Sequence, residues 1–166
     1  MTIEVRPART CDVAVIRRLV DEYAPQGILL SKPTVTLYED VQEFLVAEQP
    51  DGAVVGCGAL HVLWEDLAEV RTLAVDPKIK GAGVGHVLLE RLLERARDLG
   101  VRRVFCLTFE VDFFGRHGFR EIDGIPVDHA VYDELLRSYD EGVAEFLALE
   151  HVKPNILGNT RMVLEL

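Results

Sequence analysis

The sequence is short of the residues that brace small extracellular domains. It has three cysteines, Cys11, Cys57 and Cys106, an odd number at wide spacing. They form neither a disulfide framework nor a zinc signature, and they suit a reducing cytoplasm. Basic charge is scarce too: 18 Lys and Arg stand against 28 Asp and Glu, a net charge of −10. A chain this acidic binds phosphate backbones poorly, which argues against nucleic acid and anionic membranes as partners. No apolar run reaches membrane-spanning length, and the opening MTIEVRPART lacks the pattern of a secretory signal. The histidines at 61, 86, 117, 129 and 151 show no metal-ligand spacing. No repeat, low-complexity tract or linker interrupts the chain. What is present is 166 residues, 49% hydrophobic and 28% charged, enough for one domain over 1–166 with a sizeable core. The expectation is a cytoplasmic protein that handles a small molecule without a metal, holding any anionic ligand by a local site.

Periodicity predicts the order of elements. Residues 3–5 read as a short strand stopped by Pro7. Thr10 is a candidate N-cap for a helix on Val13, Ile16, Leu19, Val20 and Tyr23, ended by Pro25 and Gly27. Thr36 and Glu39 form a T-x-x-E capping box that predicts a second helix running through Phe44. A meander follows: a strand over 44–48, a turn at 50–52, a long strand over 53–64, a turn at Glu65-Asp66 and a strand over 68–75. Gly56 and Gly58 in the long strand indicate a kink or a close backbone approach. A glycine-rich turn, Lys80 to Gly85, then feeds a helix from His86 to Leu99, and a short apolar strand covers 104–107. Strand, turn, helix and strand make one βαβ unit, so an otherwise antiparallel sheet gains one parallel pair. The fold class is therefore α/β (α+β), a mixed, mostly antiparallel sheet with helices on both faces. Residues 113–119 read as a short helix closed by Gly118. An acidic helical insertion at about 127–150, in two pieces with Ser138 and Asp140 as candidate caps, precedes a last strand over 159–166.

The glycines at 81, 83 and 85 let the backbone curl so that successive N–H groups converge at a helix N-terminus, a site suited to phosphate. The turn is not a P-loop, since no Gly-Lys-Ser/Thr follows, and its spacing is not that of a dinucleotide fingerprint. An ordinary tight connection is the alternative.

Three motifs in register carry a family resemblance. Lys80-Gly-Ala-Gly-Val-Gly85 resembles the acyl-CoA motif of the GNAT superfamily of N-acetyltransferases. Leu73-Ala-Val-Asp-Pro77 is similar to the strand end before that motif, and Phe113 to Phe119 to the short helix ending in Gly-Phe. Gln26 to Leu29, Val55 to Leu60, Ala68-Glu69, the turn Val152 to Asn155 and the terminal Asn159 to Leu164 further resemble N-acetylglutamate synthase domains of the short, stand-alone actinobacterial type. The resemblance implies the GNAT fold, acetyl-CoA as co-substrate, and acetyl transfer to the α-amine of L-glutamate, with L-glutamine as a second acceptor, at the first step of arginine biosynthesis. It implies a small-molecule partner and leaves a homodimer open.

Each demand of that chemistry selects residues. Phosphates need the N–H donors of Lys80, Gly81, Gly83, Val84, Gly85 and His86. The amides of the pantetheine arm would pair like an added strand with the backbone of Leu73 and Val75, as the resemblance implies. A protonated amine needs a base, and Glu69 is the candidate; a structural carboxylate paired with Arg71, two residues on and on the same strand face, is the alternative. An acceptor carboxylate in so acidic a chain needs local cations and amides, for which Lys32, Arg71, Lys153, Asn155 and Arg161 are candidates, with Asn159 beside them. Where many family members carry a tyrosine, four positions before the closing glycine, this chain has Phe114. The usual acid is thus missing; Tyr132, Tyr139 and His117 are replacements, or the thiolate leaves unassisted. Cys57 and Cys106 read as core residues, with an acetyl-carrying thiol as the other option. Two further functions stay open: acetylation of another small amine or a peptide N-terminus, and a catalytically silent acetyl-CoA-binding sensor.

Overall fold

A computed structural model describes residues 2–29, 31–140, 143 and 159–166. Its centre is a seven-stranded sheet in the order β1-β2-β3-β4-β5-β7-β6. The strands are β1 (Glu4–Pro7), β2 (Phe44–Glu48), β3 (Val54–Trp64), β4 (Leu67–Val75), β5 (Arg103–Thr108), β6 (Arg120–Glu121) and β7 (Thr160–Glu165). Every neighbouring pair is antiparallel except β4 and β5. The helices are α1 (Val13–Tyr23), α2 (Thr34–Glu39), α3 (Val84–Asp98), α4 (Val111–Gly115) and α5 (His129–Leu135). No helix among the described residues is long and apolar enough to cross a membrane.

The alternation of the strands divides the core. On one face α3 buries Leu88, Leu89, Leu92, Leu93 and Ala96 against Ala68, Val70, Val104, Cys106 and Met162. A side chain at Gly56 would come within 2.9 Å of Leu88, so the glycine admits α3 close to β3. On the other face Val13, Ile16, Leu19 and Val20 of α1 and Leu37 of α2 pack on Val46, Cys57, Ala59 and Ala74. Further along that second face Leu135 of α5 and Val143 close over Leu63, Leu67, Phe105 and Val163. Full burial of aliphatic and aromatic side chains on both faces supplies most of the folding free energy.

Several expectations need correction. The Thr36–Glu39 box caps nothing: α2 begins at Thr34 after the extended Pro33, and the Thr36 N–H already bonds to the Pro33 carbonyl. The helix stops at Glu39, and a 3₁₀ turn, Val41–Glu43, leads into β2. Pro7 belongs to β1, which its place on the sheet edge permits. The helix predicted over 113–119 sits earlier, at α4, and β6 was too short to leave a periodic signal. In the 127–150 insertion, α5 and Val143 are helical, and Asp140 Oδ1 accepts from the Val143 N–H at 2.9 Å, as a cap should; residues 141–142 and 144–150 lie outside the described residues.

Candidate active site

Strands β4 and β5 pair over only three positions, ending at Glu69 opposite Phe105. Beyond that point they part, β5 keeping β7 as its partner through Thr108. The gap opens into a cleft of about 420 Å³ bounded by β4, the turn before α3, and α4. β3 and β4 fall out of register between Cys57 and Ala59, and Thr72, in the same stretch of β4, has a positive φ of 56°. The resulting bulge turns the strand end. The Asp76 N–H bonds to Val55 O at 2.8 Å. Since ladder bonds alternate along a strand, the main-chain groups of Val75 face the open side. There the Tyr23 hydroxyl donates to the Val75 carbonyl. Leu73 lines the same cleft.

At the cleft mouth Gly81 and Gly83 have φ of +96° and +83°, values that side chains disfavour. Gly83 caps α3, and the first helical bond runs from Val87 N to Gly83 O. The N–H groups of Val84, Gly85 and His86 therefore stand at the positive end of the helix without intrahelical acceptors. Lys80 reaches over the mouth, its Nζ 6.0 Å from the Tyr23 ring centroid and 3.9 Å from Glu110. His86 Nδ1 lies 2.7 Å from His117 Nε2, and both rings pack on Phe113. Burial and the neighbouring His86 hold the His117 pKa below its ordinary value. An anion with several oxygens fits this end of the cleft, and an extended amide chain fits the free edge of β4.

Where β4 and β5 separate, a charged cluster lies on the α1 side of the sheet. Arg71 Nε donates to Glu69 Oε1 at 2.8 Å, and Nη2 lies 2.7 Å from the same oxygen without a hydrogen-bonding angle. Nη1 donates to both oxygens of Asp140, at 2.9 and 3.0 Å. Both Glu69 and Arg71 are buried. Burial raises the Glu69 pKa against the opposing pull of Arg71. Lys32 is buried beside them, and desolvation, with Arg71 second, lowers its pKa. His61 lies directly across from Glu69 on β3, its Nδ1 3.0 and 2.9 Å from the two Glu43 oxygens.

The sequence candidates thus fall into two groups around one opening. Leu73, Val75, Lys80, Gly81, Gly83, Val84, Gly85 and His86 line the cleft; Glu69, Arg71 and Lys32 form the cluster beside it. Arg161 shares a strand face with Val163, which packs on Phe105, so it stands on the cluster side of the sheet. Asn159, at the start of that strand, is buried with its Oδ1 unpartnered among the described residues. Lys153 and Asn155 lie outside the described residues. Phe114 lines the cleft in edge-on contact with Phe113 and Phe119. Cys57 is fully buried and its thiol is pushed up to about 12; Cys106 is buried and raised likewise. Burial of both thiols fits the core reading and works against the acetyl-carrying option. Among the described residues no group of His, Cys, Asp and Glu could hold a metal ion. The sequence reading gave no role to Tyr23, His61 or Glu43, and gave Asp140 only that of a cap. A bulge between Val62 and Trp64 shifts the hairpin so that His61, and not Val62, faces Glu69, which counting back from the Glu65-Asp66 turn does not reveal.

Comparison with known proteins places this geometry in a family. The model of the acetyltransferase (GNAT) family matches residues 15–119, from α1 through the cleft to the end of the α4 turn. The chain is 65% identical over 164 residues to an amino-acid acetyltransferase of Mycobacterium tuberculosis, covering 98% of this chain and 94% of that protein. A crystal structure of a Mycobacterium tuberculosis protein in complex with CoA and the ligand NLQ superposes with a TM-score of 0.93 at 65% identity, over 98% of this chain and 99% of that one. An N-acetylglutamate synthase from Neisseria gonorrhoeae, complexed with coenzyme A and N-acetyl-glutamate, superposes with a TM-score of 0.79 at 25% identity. All of this chain is covered there, but only 35% of the longer synthase. The parted strands, the glycine turn at the head of α3 and the short α4 are features of one fold, and this chain belongs to the GNAT family of acetyltransferases.

Proposed function

We propose that this protein transfers the acetyl group of acetyl-CoA to the α-amine of an amino acid, L-glutamate with L-glutamine as a second acceptor. One observation carries the reading: a buried carboxylate, Glu69, stands with the buried cations Arg71 and Lys32 where β4 and β5 part. An α-amino acid offers an ammonium to the first and a carboxylate to the second. The relatives named above as amino-acid acetyltransferase and N-acetylglutamate synthase support the same acceptor class.

Acetyl-CoA supplies the activated acyl group. The N–H groups of Val84, Gly85 and His86, with Gly81, Gly83 and Lys80, hold its phosphates, and the open edge of β4 at Leu73 and Val75 pairs with its amides. Glu69 takes the proton that the amine must lose. Its raised pKa brings it nearer the working pH, where a base is most effective. Arg71, Lys32 and Arg161 bind the acceptor carboxylates, and Lys153 and Asn155 join them on the sequence pattern alone. Phe114 has no proton to give, so the sulfur departs as thiolate, which its ordinary pKa of about 8.5 allows. The setting that fits three free cysteines is the cytoplasm.

The test is release of CoA with a panel of amines. Turnover with glutamate or glutamine is expected. Turnover confined to diamines or peptide N-termini, or acetyl-CoA binding without turnover, would overturn the reading.

A further inference from the structure

Glu69 has an unsolved problem as a base: its proton must leave. The side chain is only 6% exposed, and its closest charged neighbour cannot help, since a guanidinium does not accept a proton. Lys32 has the role of a cation for the acceptor carboxylate in the reading above and so is not free to take the proton. Asp140 is held ionised and below its usual pKa, since Arg71 and the Val143 N–H outweigh its burial, so it is a weak acceptor.

His61 differs. Its Cα is paired with that of Glu69 across β3 and β4. Residues paired so in an antiparallel ladder present their side chains on one face, with Cβ atoms about 4.5–5.5 Å apart. Glu43, from the 3₁₀ turn before β2, holds Nδ1 with both oxygens. An Nδ1–H donated to a carboxylate leaves Nε2 with its lone pair. Nε2 lies 3.9 Å from Asp140 Oδ2, beyond hydrogen-bonding distance. The ring spans the boundary between the cluster and solvent: the His61 side chain is 18% exposed and that of Glu43 26%. The charged groups that face it are Glu43, Asp140, Asp40 and Glu69, and Arg71 and Lys32 stand beyond them, beside Glu69.

We propose that His61, oriented by Glu43, carries the proton taken up by Glu69 out to bulk water. The inference rests on the reading of Glu69 as the base. An N–H bond of the acceptor ammonium breaks as an O–H bond forms on Glu69. That O–H bond then breaks as N–H forms at His61 Nε2, and the imidazolium, balanced by Glu43, gives its proton to water or a buffer base. His61 is thus a positioning residue that acts through Glu69.

Steady-state kinetics separate the possibilities. His61→Gln should lower kcat about 10²-fold, the scale of a lost proton-transfer partner, and leave both KM values unchanged. His61→Ala should regain activity in proportion to added imidazole. Glu69→Gln should be slow and insensitive to imidazole. Glu43→Gln, which keeps the ring but loosens it, should fall between His61→Gln and the parent. Parental kcat in His61→Gln, or an alanine variant blind to imidazole, would overturn the relay while a slow Glu69→Gln keeps the base. A fast Glu69→Gln would instead overturn the base itself.

Discussion

Arg71 and Asp140, 69 residues apart in the chain, meet through one nitrogen: Nη1 donates to both carboxylate oxygens, at 2.9 and 3.0 Å. An acceptor carboxylate that uses Arg71 must share or displace this internal one. Removing a charged hydrogen-bond partner costs about 1.5–3 kcal/mol, roughly 10- to 150-fold in affinity. Arg71→Ala should therefore raise the KM for the amino acid on that scale and change the KM for acetyl-CoA far less. Asp140→Asn keeps an oxygen to cap Val143 but gives up the charge, so it should lower the acceptor KM. Acetylation rates measured over a range of acceptor concentration decide both. A higher acceptor KM in Asp140→Asn would mean that Asp140 orients Arg71 and does not compete for it.

The turn before α3 makes a prediction about the co-substrate. A side chain at Gly83 would meet nothing within 4 Å, so space is not what demands glycine there; its φ of +83° is. Gly83→Ala should cost about 1–2 kcal/mol of stability through that backbone conformation and weaken CoA moderately. Gly83→Asp places a negative charge beside the phosphates as well and should weaken CoA severely in a folded protein. Titration calorimetry with CoA checks the pair, and equal affinities for the two variants would take the phosphates away from this loop.

Local signals carried much of this. The leucine stripe of α3, the glycines ahead of it and the apolar strand β5 are contiguous patterns, and they predicted the parallel pair that opens the cleft. The Glu69–Arg71 ion pair was visible as an i, i+2 spacing on one strand. The roles of Asp140, His61 and Glu43 beside that pair were not. Asp140 reaches Arg71 from beyond α5, and Glu43 reaches His61 from a turn misread as helix, because Thr36 and Glu39 mimic a cap that Pro33 had already made unnecessary. Such pairings depend on register and packing, which a single sequence does not print.

The shifts of Glu69 and Lys32 set opposite limbs of the pH profile. Burial raises the Glu69 pKa, so the carboxylate is lost at a higher pH than that of an exposed glutamate, and kcat should fall as pH drops through that raised value. Glu69→Gln should be about 10²–10⁴-fold slower and lack the acid limb. Burial lowers the Lys32 pKa, so its charge is lost as pH rises, sooner than for an exposed lysine. The acceptor KM should then climb at alkaline pH, and Lys32→Met should have a high KM that no longer depends on pH there. A pH series of kcat and KM for the parent and both variants tests the assignment.

The acid sensitivity of the fold should come from elsewhere. Asp12, buried at the start of α1, accepts from Arg6 Nη1 at 2.8 Å and Nη2 at 3.1 Å, and from the Arg9 N–H at 2.7 Å. Arg6 in turn donates from Nε to Glu48 at 2.7 Å, so the pair ties α1 to β1 and β2. The Arg6 bond, ahead of the opposing effect of burial and aided by the Arg9 N–H, holds the Asp12 pKa below its ordinary value. A carboxyl depressed in the folded state contributes stability that is fully present above its unfolded pKa, about 3.9. That stability is lost as pH falls through the lower folded value. Asp12→Asn should cost about 1.5–3 kcal/mol at neutral pH and very little once Asp12 of the parent is protonated. Urea unfolding at neutral pH and at about pH 2 to 3, below the unfolded value, should show the two proteins converging as the acid is added. Parallel losses in both would place the acid-labile contact at another carboxylate.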